Sequence, residues 1–570
     1  MTLAMDTPRE KTPAEEIHAT DENDDSSTVF MDYKKFFLLT IIPLGMANCS
    51  DATEILCLSY ILSDSTFEST ILREKSGAAL AGAIFAGMLV GGLLLTLLGE
   101  APIHIFDKTI LVGRRRTLIL IGLAINSIAG FVSAFTSNEQ YMILIRSIAG
   151  LGIGISVPPT FTLVSELSPA KIRGFCVSVV ASFWMIGSIF VSVVALFIFS
   201  LWDLERPLAA WRVFALICAL PSFAAFILVY ILIPESPRYL QFFHQLDEAQ
   251  NAKDIISSRL STSLTWAEYG RPNHGDVDDP LLTSINLSHN PETQTIHTPF
   301  HERTSHSYYC LSSNFKSLRI LYTDRSLTHG TTLPLNLLWF SLCFGSYGLF
   351  TWINSIFADL HLPNIYVQSL LFALANFPGN IVSAILVDRI GRKKLLVSSM
   401  LISALSLISL ALFAIPLTTQ TAPQPTSTQT IGIVLSACSF QACIICGWNM
   451  IDCLTAESFP TNVRNSGMAL CTAWGRIGAM LAQYINAFLM ASEHSPVAVI
   501  LIASVFLLLG SSVPSWMQGE DMSLKPLSDF NVNFDDMEVD KVETWKPHLG
   551  ENDRILQREE DRLMLLSGVS

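Results

Sequence analysis

Twelve apolar stretches, each long enough to cross a lipid bilayer as a helix, dominate this sequence. A membrane-spanning helix needs about 20 predominantly apolar residues. The first six stretches are Phe36–Leu62, Ala78–Leu98, Thr117–Phe135, Tyr141–Leu163, Phe175–Phe199 and Trp211–Ile233, and the second six are Leu333–Phe357, Val367–Val387, Leu395–Leu417, Ile431–Leu454, Gly467–Met490 and Val497–Val513. We predict an all-α membrane protein with twelve transmembrane helices in two six-helix bundles.

The polar parts of the chain lie at its two ends and in its middle. Only 15% of the residues are charged, against about a quarter in a soluble domain, and the acids behind the net charge of -14 crowd into these polar parts. The predicted organisation is a disordered acidic tail (1–35), a first bundle (36–233), a polar linker (234–332), a second bundle (333–513) and a polar tail (514–570).

Basic residues in the short connections predict the orientation of the chain, because Lys and Arg near helix ends are retained in the cytoplasm. One set of connections carries Lys108, Arg114, Arg115, Arg116, Lys171, Arg173, Arg389, Arg392, Lys393, Lys394 and Arg464. The alternate set carries only Arg73, Lys75 and Arg206 outside the apolar stretches. We therefore expect both tails and the linker to face the cytoplasm.

The two halves of the sequence repeat the same motifs in corresponding places. The matched elements are Glu166, Pro169 and Arg173 with Glu457, Pro460 and Arg464, the pairs Ile186-Gly187 and Ile477-Gly478, and the turns Gly113–Arg116 and Gly391–Lys394. Duplicated halves are common in transporters, and they leave such matched motifs. The repeat predicts two bundles in the same orientation, related by parallel pseudo-symmetry.

Several of these motifs resemble a known family. They are the Asp388–Lys394 loop, Pro234–Arg238 after the sixth stretch, the paired Glu-x-x-Pro-x-x-x-Arg motifs, Ser50–Glu54 with Leu58-Ser59, Arg146 with Gly150, Gly152 and Gly154, Phe377–Gly379 and Arg476–Ala479. The chain resembles the sugar-porter and organic-ion-transporter side of the major facilitator superfamily, especially the synaptic vesicle glycoprotein 2-related proteins. The resemblance implies a central cavity between the bundles and alternating access.

The sequence departs from the family pattern in one loop of the first half. The acid of that loop normally lies two residues from the glycine, but five residues separate Asp107 from Gly113, and Glu100–Ile110 has the character of an insertion. The second-half copy, with Asp388 and Gly391, keeps the family spacing. We expect the gating latch of this loop to be altered in the first half.

Two acids in the first apolar stretch are the main candidates for function. Asp51 and Glu54 are three residues apart and therefore share a helix face. A carboxylate at the centre of a bilayer costs about 2.5–3.5 kcal/mol on insertion scales, and two neighbouring acids are not easily ionised together. The pair predicts proton coupling or a site for an organic cation. The alternative is a structural pair with Arg146 or another buried base.

The other intramembrane charges leave two interpretations open. Arg146 can bind an anionic group of the substrate, or it can compensate Asp51 and Glu54 in one conformational state. In the second half, Asn449, Asp452 and Arg476 can contact substrate or form a polar clamp between helices. Candidate rings for a cavity, which can stack a planar or cationic ligand, are Trp184, Trp339, Tyr347, Trp352, Trp448 and Tyr484, with Gln483 beside them.

Charges at the cytoplasmic helix ends have a different predicted role. Salt bridges between helices can form there when this side closes and break when it opens. The predicted gating residues are Glu166, Arg173, Asp388, Arg389, Arg392, Glu457 and Arg464. In the polar tail, Asp561, Leu565 and Leu566 have the spacing of an acidic dileucine sorting motif, which predicts an adaptor as a partner.

The absence of other motifs excludes several function classes. The sequence has no GxxxxGK[ST], HExxH or GxSxG motif, so we expect neither an ATP-driven pump nor an enzyme, and neither a cofactor nor a nucleic-acid partner. The eleven cysteines lie mostly in apolar stretches and predict no disulfide framework and no metal site. We predict a secondary transporter of a small organic solute, in the plasma membrane or an endolysosomal or vesicle membrane.

An organic cation or another charged metabolite is favoured over a sugar as the solute, because paired acids are a poor match for a neutral polyol. Proton coupling, in a symporter that works by alternating access, is the predicted energy source. The rival interpretation is a sensor or a vesicle-resident scaffold that keeps the fold without transporting.

Overall fold

A computed structural model describes residues 34–64, 67, 77–98, 102–105, 108–111, 115–169, 172–201, 210–242, 245–259, 319, 321–418, 425–459, 464–491 and 496–517. The first-half helices are α1 (Lys34–Leu62), α2 (Ala78–Leu98), α3 (Arg115–Ser133), α4 (Glu139–Leu167), α5 (Arg173–Ser200) and α6 (Ala210–Leu232). Two short helices, α7 (Pro237–Phe242) and α8 (Leu246–Ser257), follow α6.

The second-half helices are α9 (Thr328–Asp359), α10 (Ile365–Leu374 continued by Asn376–Ile390), α11 (Arg392–Thr418), α12 (Ser427–Ser458), α13 (Arg464–Ala491) and α14 (Pro496–Ser512). Short turns, Arg325–Leu327 and Val513–Ser515, flank this series. Each predicted apolar stretch therefore coincides with one long helix in the described part of the chain.

Ten of these helices are long and apolar enough to cross a membrane by length and composition. The other two long helices are α2 and α13. The apolar segment of α2, Ala78–Leu94, is shorter than those of the ten, and α13 contains the polar side chains Arg476, Gln483 and Asn486. The predicted all-α membrane fold is confirmed. A small addition is the antiparallel hairpin of β1 (Pro102–Ile105) and β2 (Lys108–Leu111), which overlaps the segment Glu100–Ile110 with the character of an insertion.

The two bundles repeat the same packing. In the first bundle α1 packs against α5 and α6, and α4 packs against α2 and α3; in the second, α9 packs against α13 and α14, and α12 packs against α10 and α11. Helices α1 and α9 both begin with a π-helical turn, at Phe37–Ile41 and Thr328–Thr332, followed closely by a proline. The pseudo-symmetry predicted from the motifs is therefore expressed in the backbone.

Glycines permit the close approach of helices that the sequence predicts. A Cβ atom on Gly150 of α4 would lie 2.0 Å from the carbonyl oxygen of Ile84 in α2, and one on Gly152 would lie 2.6 Å from that of Gly122 in α3. No real Cβ atom tolerates such contacts, so only glycine fits. These glycines let α4 form the centre of the first bundle.

The end of the bundles with the basic connections is called the inner end, and the opposite end is called the outer end. Contacts between the bundles join α1 to α9, α2 to α13 and α5 to α10. At the outer end, the rings of Phe199 and Tyr366 stack with centroids 5.2 Å apart. The two bundles thus meet along three helix pairs, which frame the functional site.

Arg259, just after α8, attaches the start of the linker to the first bundle. Its Nη1 donates hydrogen bonds to the carbonyl oxygen of Leu39 and to Oγ1 of Thr40, both at 2.8 Å, and its Nη2 donates to the carbonyl of Leu232. Pro43 has no N–H to donate to the Leu39 carbonyl four residues earlier. Burial lowers the pKa of Arg259. The guanidinium thus satisfies the Leu39 carbonyl, to which Pro43 cannot donate, and the Leu232 carbonyl at the C-terminal end of α6.

Candidate functional site

The two arginines inside the bundles have contrasting surroundings. Arg146 of α4 and Glu54 of α1 form a buried ion pair, with Nη1 2.5 Å from Oε1. The same Nη1 lies 3.3 Å from Sγ of Cys57, and only 1% of Arg146 is exposed. A Cβ on Gly130 of α3 would lie 3.2 Å from the second carboxylate oxygen of Glu54. This pair is enclosed within the first bundle, as in the compensating interpretation of Arg146.

Asp51 faces a different partner from Glu54. It is 4% exposed, and its buried Oδ1 has no hydrogen-bond partner among the described residues. The charge with which it interacts is that of Arg476, on α13 of the second bundle. Three residues along a helix turn the side chain by about 60°, which is enough to direct Glu54 into its own bundle and Asp51 across the interface.

Arg476 lies between acids and aromatic rings. Besides Asp51, it interacts electrostatically with Asp452 of α12, and its Cζ atom lies 5.4 Å from the centroid of the Tyr347 ring. Its Nη1 is buried without a hydrogen-bond partner in the described part of the chain. Asp452 is exposed, in contrast to Asp51. The structure brings together three predicted residues: Asp51, Asp452 and Arg476.

Aromatic rings form one wall of this charged cluster. The Trp448 ring lies 5.2 Å from Tyr347 and 5.9 Å from Trp339, both edge to face. Across the interface, Phe85 of α2 lies 5.2 Å from the Tyr347 ring. Phe85 was absent from the predicted set, because a phenylalanine in an apolar stretch carries no distinguishing pattern.

The predicted rings also form hydrogen bonds within the second bundle or pack at the interface between the bundles. Trp339 donates to Oγ1 of Thr455 at 2.9 Å, and Trp352 donates to Oε1 of Gln483 at the same distance. Gln483 in turn donates to the Tyr347 carbonyl at 3.2 Å. Two other rings lie at the bundle interface: Trp184 is 6.1 Å from Phe350, and Tyr484, which is half exposed, lies against Gly82 of α2.

Asn449 does not join the charged cluster through any described hydrogen bond. Its Nδ2 donates to Oδ1 of Asn380 at 3.0 Å and to Oγ of Ser383 at 3.1 Å, which ties α12 to α10 within the second bundle. Asn380 also reaches the sulfur of Met185 in the first bundle, at 3.7 Å. Asn449 therefore has the geometry of the predicted polar clamp.

A group of buried polar side chains joins the bundles nearer the outer end. Nδ2 of Asn354 in α9 donates to Oγ of Ser59 in α1 at 3.0 Å, and Ser369 of α10 donates to Oδ1 of Asn354. The hydroxyls of Tyr60 and Ser192 share a hydrogen bond of 2.8 Å. We call these five residues the outer seal. Sequence reasoning missed them, although single polar residues in long apolar stretches are the pattern that marks such sites.

A small cavity adjoins the outer seal. Aromatic side chains of both bundles line it, as do amide and hydroxyl groups, including Trp184, Ser188, Phe350, Phe372 and Gln441. Its lining has no charged side chain. The interface thus has two chemically distinct regions, the charged cluster around Arg476 and the neutral outer seal with its cavity.

Three of the predicted gating residues, Glu166, Arg392 and Glu457, form ion pairs within their own bundle, and the partner of Glu166 is Arg115, which was not in the predicted gating set. Arg115 lies 3.5 Å from Glu166, and Arg392 lies 3.4 Å from Glu457. Arg389 is exposed and Arg173 is partly buried. Asp388 and Arg464, two further predicted gating residues, lie in helices, but their side chains are outside the described part of the structure. The sorting residues Asp561, Leu565 and Leu566 also lie outside the described residues.

Neither a metal centre nor a disulfide is present in the described part of the chain. There, no group of three or more His, Cys, Asp and Glu side chains is placed to hold a metal ion. The cysteines described are free thiols, most of them buried. The chemistry of the site therefore consists of ionic, aromatic and hydrogen-bonding groups.

The chain is similar over most of its length to characterised membrane proteins. It is 26% identical over 525 residues to organic cation/carnitine transporter 7 of Arabidopsis thaliana, a match that covers 88% of this chain and 95% of that protein. It is 25% identical to the niacin transporter NiaP of Acinetobacter baylyi, covering 84% and 93%. It is 24% identical to human synaptic vesicle glycoprotein 2C, covering 82% and 77%. The predicted likeness to synaptic vesicle glycoprotein 2-related proteins is confirmed.

Solved structures support the same fold. The partially occluded, inward-open structure of the xylose transporter XylE from E. coli superposes with a TM-score of 0.57 at 19% identity, covering 84% of this chain and 96% of that one. A family model, Major Facilitator Superfamily, matches residues 52–482 and 365–530. The chain therefore belongs to the Major Facilitator Superfamily, whose members are membrane transporters and not enzymes.

Proposed function

We propose that this protein is a secondary active transporter that moves a small charged organic solute by alternating access, coupled to protons. The observation that carries the proposal is the placement of Asp51, whose buried Oδ1 has no hydrogen-bond partner among the described residues and which interacts electrostatically with Arg476 of the second bundle. A charge pair that joins the two bundles changes strength whenever the bundles rock against each other. Protonation of Asp51 or binding of a charged solute alters this pair, so either event shifts the balance between conformations.

The exposure of the interface supports the same mechanism. The outer seal joins the bundles through buried hydrogen bonds, whereas Asp452, in the inner half of α12, is open to solvent. This combination is expected of a transporter that faces inward. The outer seal must then separate when the protein opens outward. The inner pairs Arg115–Glu166 and Arg392–Glu457 would brace each bundle while inner gating contacts form and break.

The relatives support a charged organic solute. Two of them are named for the transport of organic cations, carnitine and niacin. A third is named as a synaptic vesicle glycoprotein, which supports residence in an intracellular vesicle membrane. We propose such a membrane as the location, with the cytoplasmic tail motif Asp561–Leu566 as the contact for a sorting adaptor.

A sugar is the second candidate solute. The neutral cavity beside the outer seal, with its serine, asparagine, glutamine and tryptophan side chains, favours a hydroxyl-rich molecule. However, Ser59, Asn354, Ser369 and Tyr60 already use their polar groups in mutual or local hydrogen bonds. Groups that are already paired gain little from a new ligand, so the charged cluster remains the better supported binding site.

The proposal is tested with purified protein in liposomes, by measuring uptake from a panel of organic cations, organic anions and hexoses. We expect an inward proton gradient to stimulate uptake of one charged class. Asp51→Asn should abolish this stimulation, because the asparagine cannot take up a proton. Asp247→Asn, on the exposed face of α8, is the matched control and should leave it intact.

Two results would contradict the proposal. Equal stimulation in the Asp51→Asn and wild-type proteins would remove Asp51 from proton coupling. Absence of flux for every class, by folded and correctly inserted protein, would favour a sensor or scaffold over a transporter.

A further inference from the structure

We propose that the transported solute carries a carboxylate group, and that this carboxylate binds Arg476 by displacing Asp51. The inference deepens the proposed function and rests on it for the transport step alone. It makes a specific claim about solute chemistry, namely that a negatively charged group is required and that a positive charge alone is insufficient.

The first line of support is the difference between the two arginines inside the bundles. Arg146 already has a close ion pair, because Glu54 lies 2.5 Å from its Nη1 and Cys57 accepts from the same nitrogen, and only its Nε is buried without a hydrogen-bond partner among the described residues. Arg476 has no salt bridge of such length among the described residues, and its Nη1 is buried without a hydrogen-bond partner. A guanidinium with an unused nitrogen matches the two oxygens of a carboxylate, which it can bind in a bidentate manner.

The second line of support is the identity of the groups around Arg476. They come from three helices: Asp51 on α1, Asp452 on α12, and Tyr347 with Cys343 on α9. Asp452 is exposed, so its charge depends less on a protein partner. Asp51 is almost fully buried and lacks a hydrogen bond to Oδ1. Of the two acids, Asp51 is therefore the one that depends on Arg476.

This difference predicts an exchange of counterions. A solute carboxylate that binds the guanidinium takes away the cation that opposes protonation of Asp51, and a buried carboxylate without a cation takes up a proton. One proton then enters with each carboxylate, and the net charge of the cluster is unchanged. Release of the solute returns Arg476 to Asp51, which gives up its proton. The same two residues thus recognise the solute and couple it to the proton.

The aromatic wall constrains the rest of the solute. Tyr347 and Trp448 lie beside the guanidinium, with Trp339 behind them. Flat rings and quaternary ammonium groups both pack well on such surfaces. We therefore expect an aromatic or amphoteric monocarboxylate to bind better than a short aliphatic one.

The test uses two matched pairs of probes on the full-length protein in detergent. Nicotinate and nicotinamide share a ring, and betaine and choline share a trimethylammonium group, but only the first member of each pair has a carboxylate. We expect at least one carboxylate to bind about tenfold or more tightly than its partner, as the loss of a charge-assisted contact predicts. Arg476→Gln should remove this preference. Arg476→Lys keeps the positive charge but lacks the paired N–H donors of a guanidinium, so it should reduce the preference. Arg319→Gln, on the exposed linker, is the control.

Asp51→Asn gives the distinguishing result. It removes the competitor for Arg476, so we expect carboxylate binding to be retained or tightened while proton stimulation of uptake is lost. Choline binding more tightly than betaine, an unchanged preference in Arg476→Gln, or no carboxylate binding by monodisperse wild-type protein would overturn the inference. Carboxylate binding at Arg476 without flux would leave the inference standing and contradict the transport function instead.

Discussion

The two bundles share their backbone packing but differ in what they do with a buried arginine. In the first bundle, Arg146 is closed into an ion pair with Glu54 of the same bundle. In the second, Arg476 interacts with Asp51 across the interface and forms no salt bridge at ion-pair distance among the described residues. When the bundles move as rigid bodies, the distance between two charges of the same bundle stays the same. The distance between charges of different bundles changes. We therefore propose that Arg146 stabilises the first bundle, whereas Arg476 exchanges one negatively charged partner for another.

Duplication explains why the two halves can differ in this way. The glycines that let helices approach are needed in both halves, and Gly187 and Gly478 contact the carbonyls of Cys49 and Phe340 in the same manner. The charged residues, by contrast, do not have to be the same in the two halves. A site placed between two related bundles can therefore take its acid from one half and its base from the other.

The largest effect is expected from breaking the enclosed pair. Arg146→Met leaves the Glu54 carboxylate buried without a cation, which should cost about 3–5 kcal/mol of stability. Arg476→Met should cost clearly less, because Asp452 is exposed and Asp51 can take up a proton. Thermal unfolding and size-exclusion profiles of the purified variants measure the difference.

The double variant Arg146→Met with Glu54→Met provides the control for this comparison. Replacing both charges by apolar groups should recover much of the lost stability, since no buried charge is left unpaired. If Arg476→Met destabilised the protein as strongly as Arg146→Met, the proposed division between the two arginines would be wrong.

An intermediate effect is expected from the glycines that the bundles share. A Cβ atom would lie 2.5 Å from the Cys49 carbonyl in Gly187→Ala and 2.6 Å from the Phe340 carbonyl in Gly478→Ala. Each change should cost about 1–3 kcal/mol through overpacking, by similar amounts in the two bundles. Gly174→Ala, where nothing lies within 4 Å, is the matched control. Unequal unfolding temperatures for the first two would show that the packing is less symmetric than the backbone.

The smallest effect is expected from the paired acids at the inner end. Glu166→Gln and Glu457→Gln each remove one partly exposed ion pair, with side chains 16% and 24% exposed. Such pairs contribute about 0–1 kcal/mol, and less at high salt. Unfolding temperatures measured at low and high ionic strength test this. A loss well above 1 kcal/mol in the free energy of unfolding of either variant would mean that these acids stabilise the fold and do not act only as gating residues.

Hydropathy and the repeat sufficed to predict the fold. Each long helix falls on a predicted stretch, and Glu166 with Glu457 marked the symmetry that the packing of α4 and α12 repeats. Glycine spacing in α4 also predicted its close contacts. These features follow from local composition, because a bilayer requires every span to be apolar and to satisfy its own backbone.

The partners within the site could not be predicted in the same way. The three-residue spacing of Asp51 and Glu54 indicates a shared face, but that face is divided between α4 and α13, and only the assembled bundles show which acid faces which helix. Phe85 and Asn354 were missed because their roles depend on a residue of the other half of the chain. Long-range pairing, unlike hydropathy, has no local pattern.

The contacts of Arg259 change what counts as a moving part of this transporter. Hydropathy ends the first bundle near residue 233, but the guanidinium ties α8 to α1 and α6 through three hydrogen bonds. Helix α8 should therefore travel with the first bundle during transport. A protein that binds this part of the linker would also act on α1, the helix that carries Asp51. Such binding would influence the transport cycle.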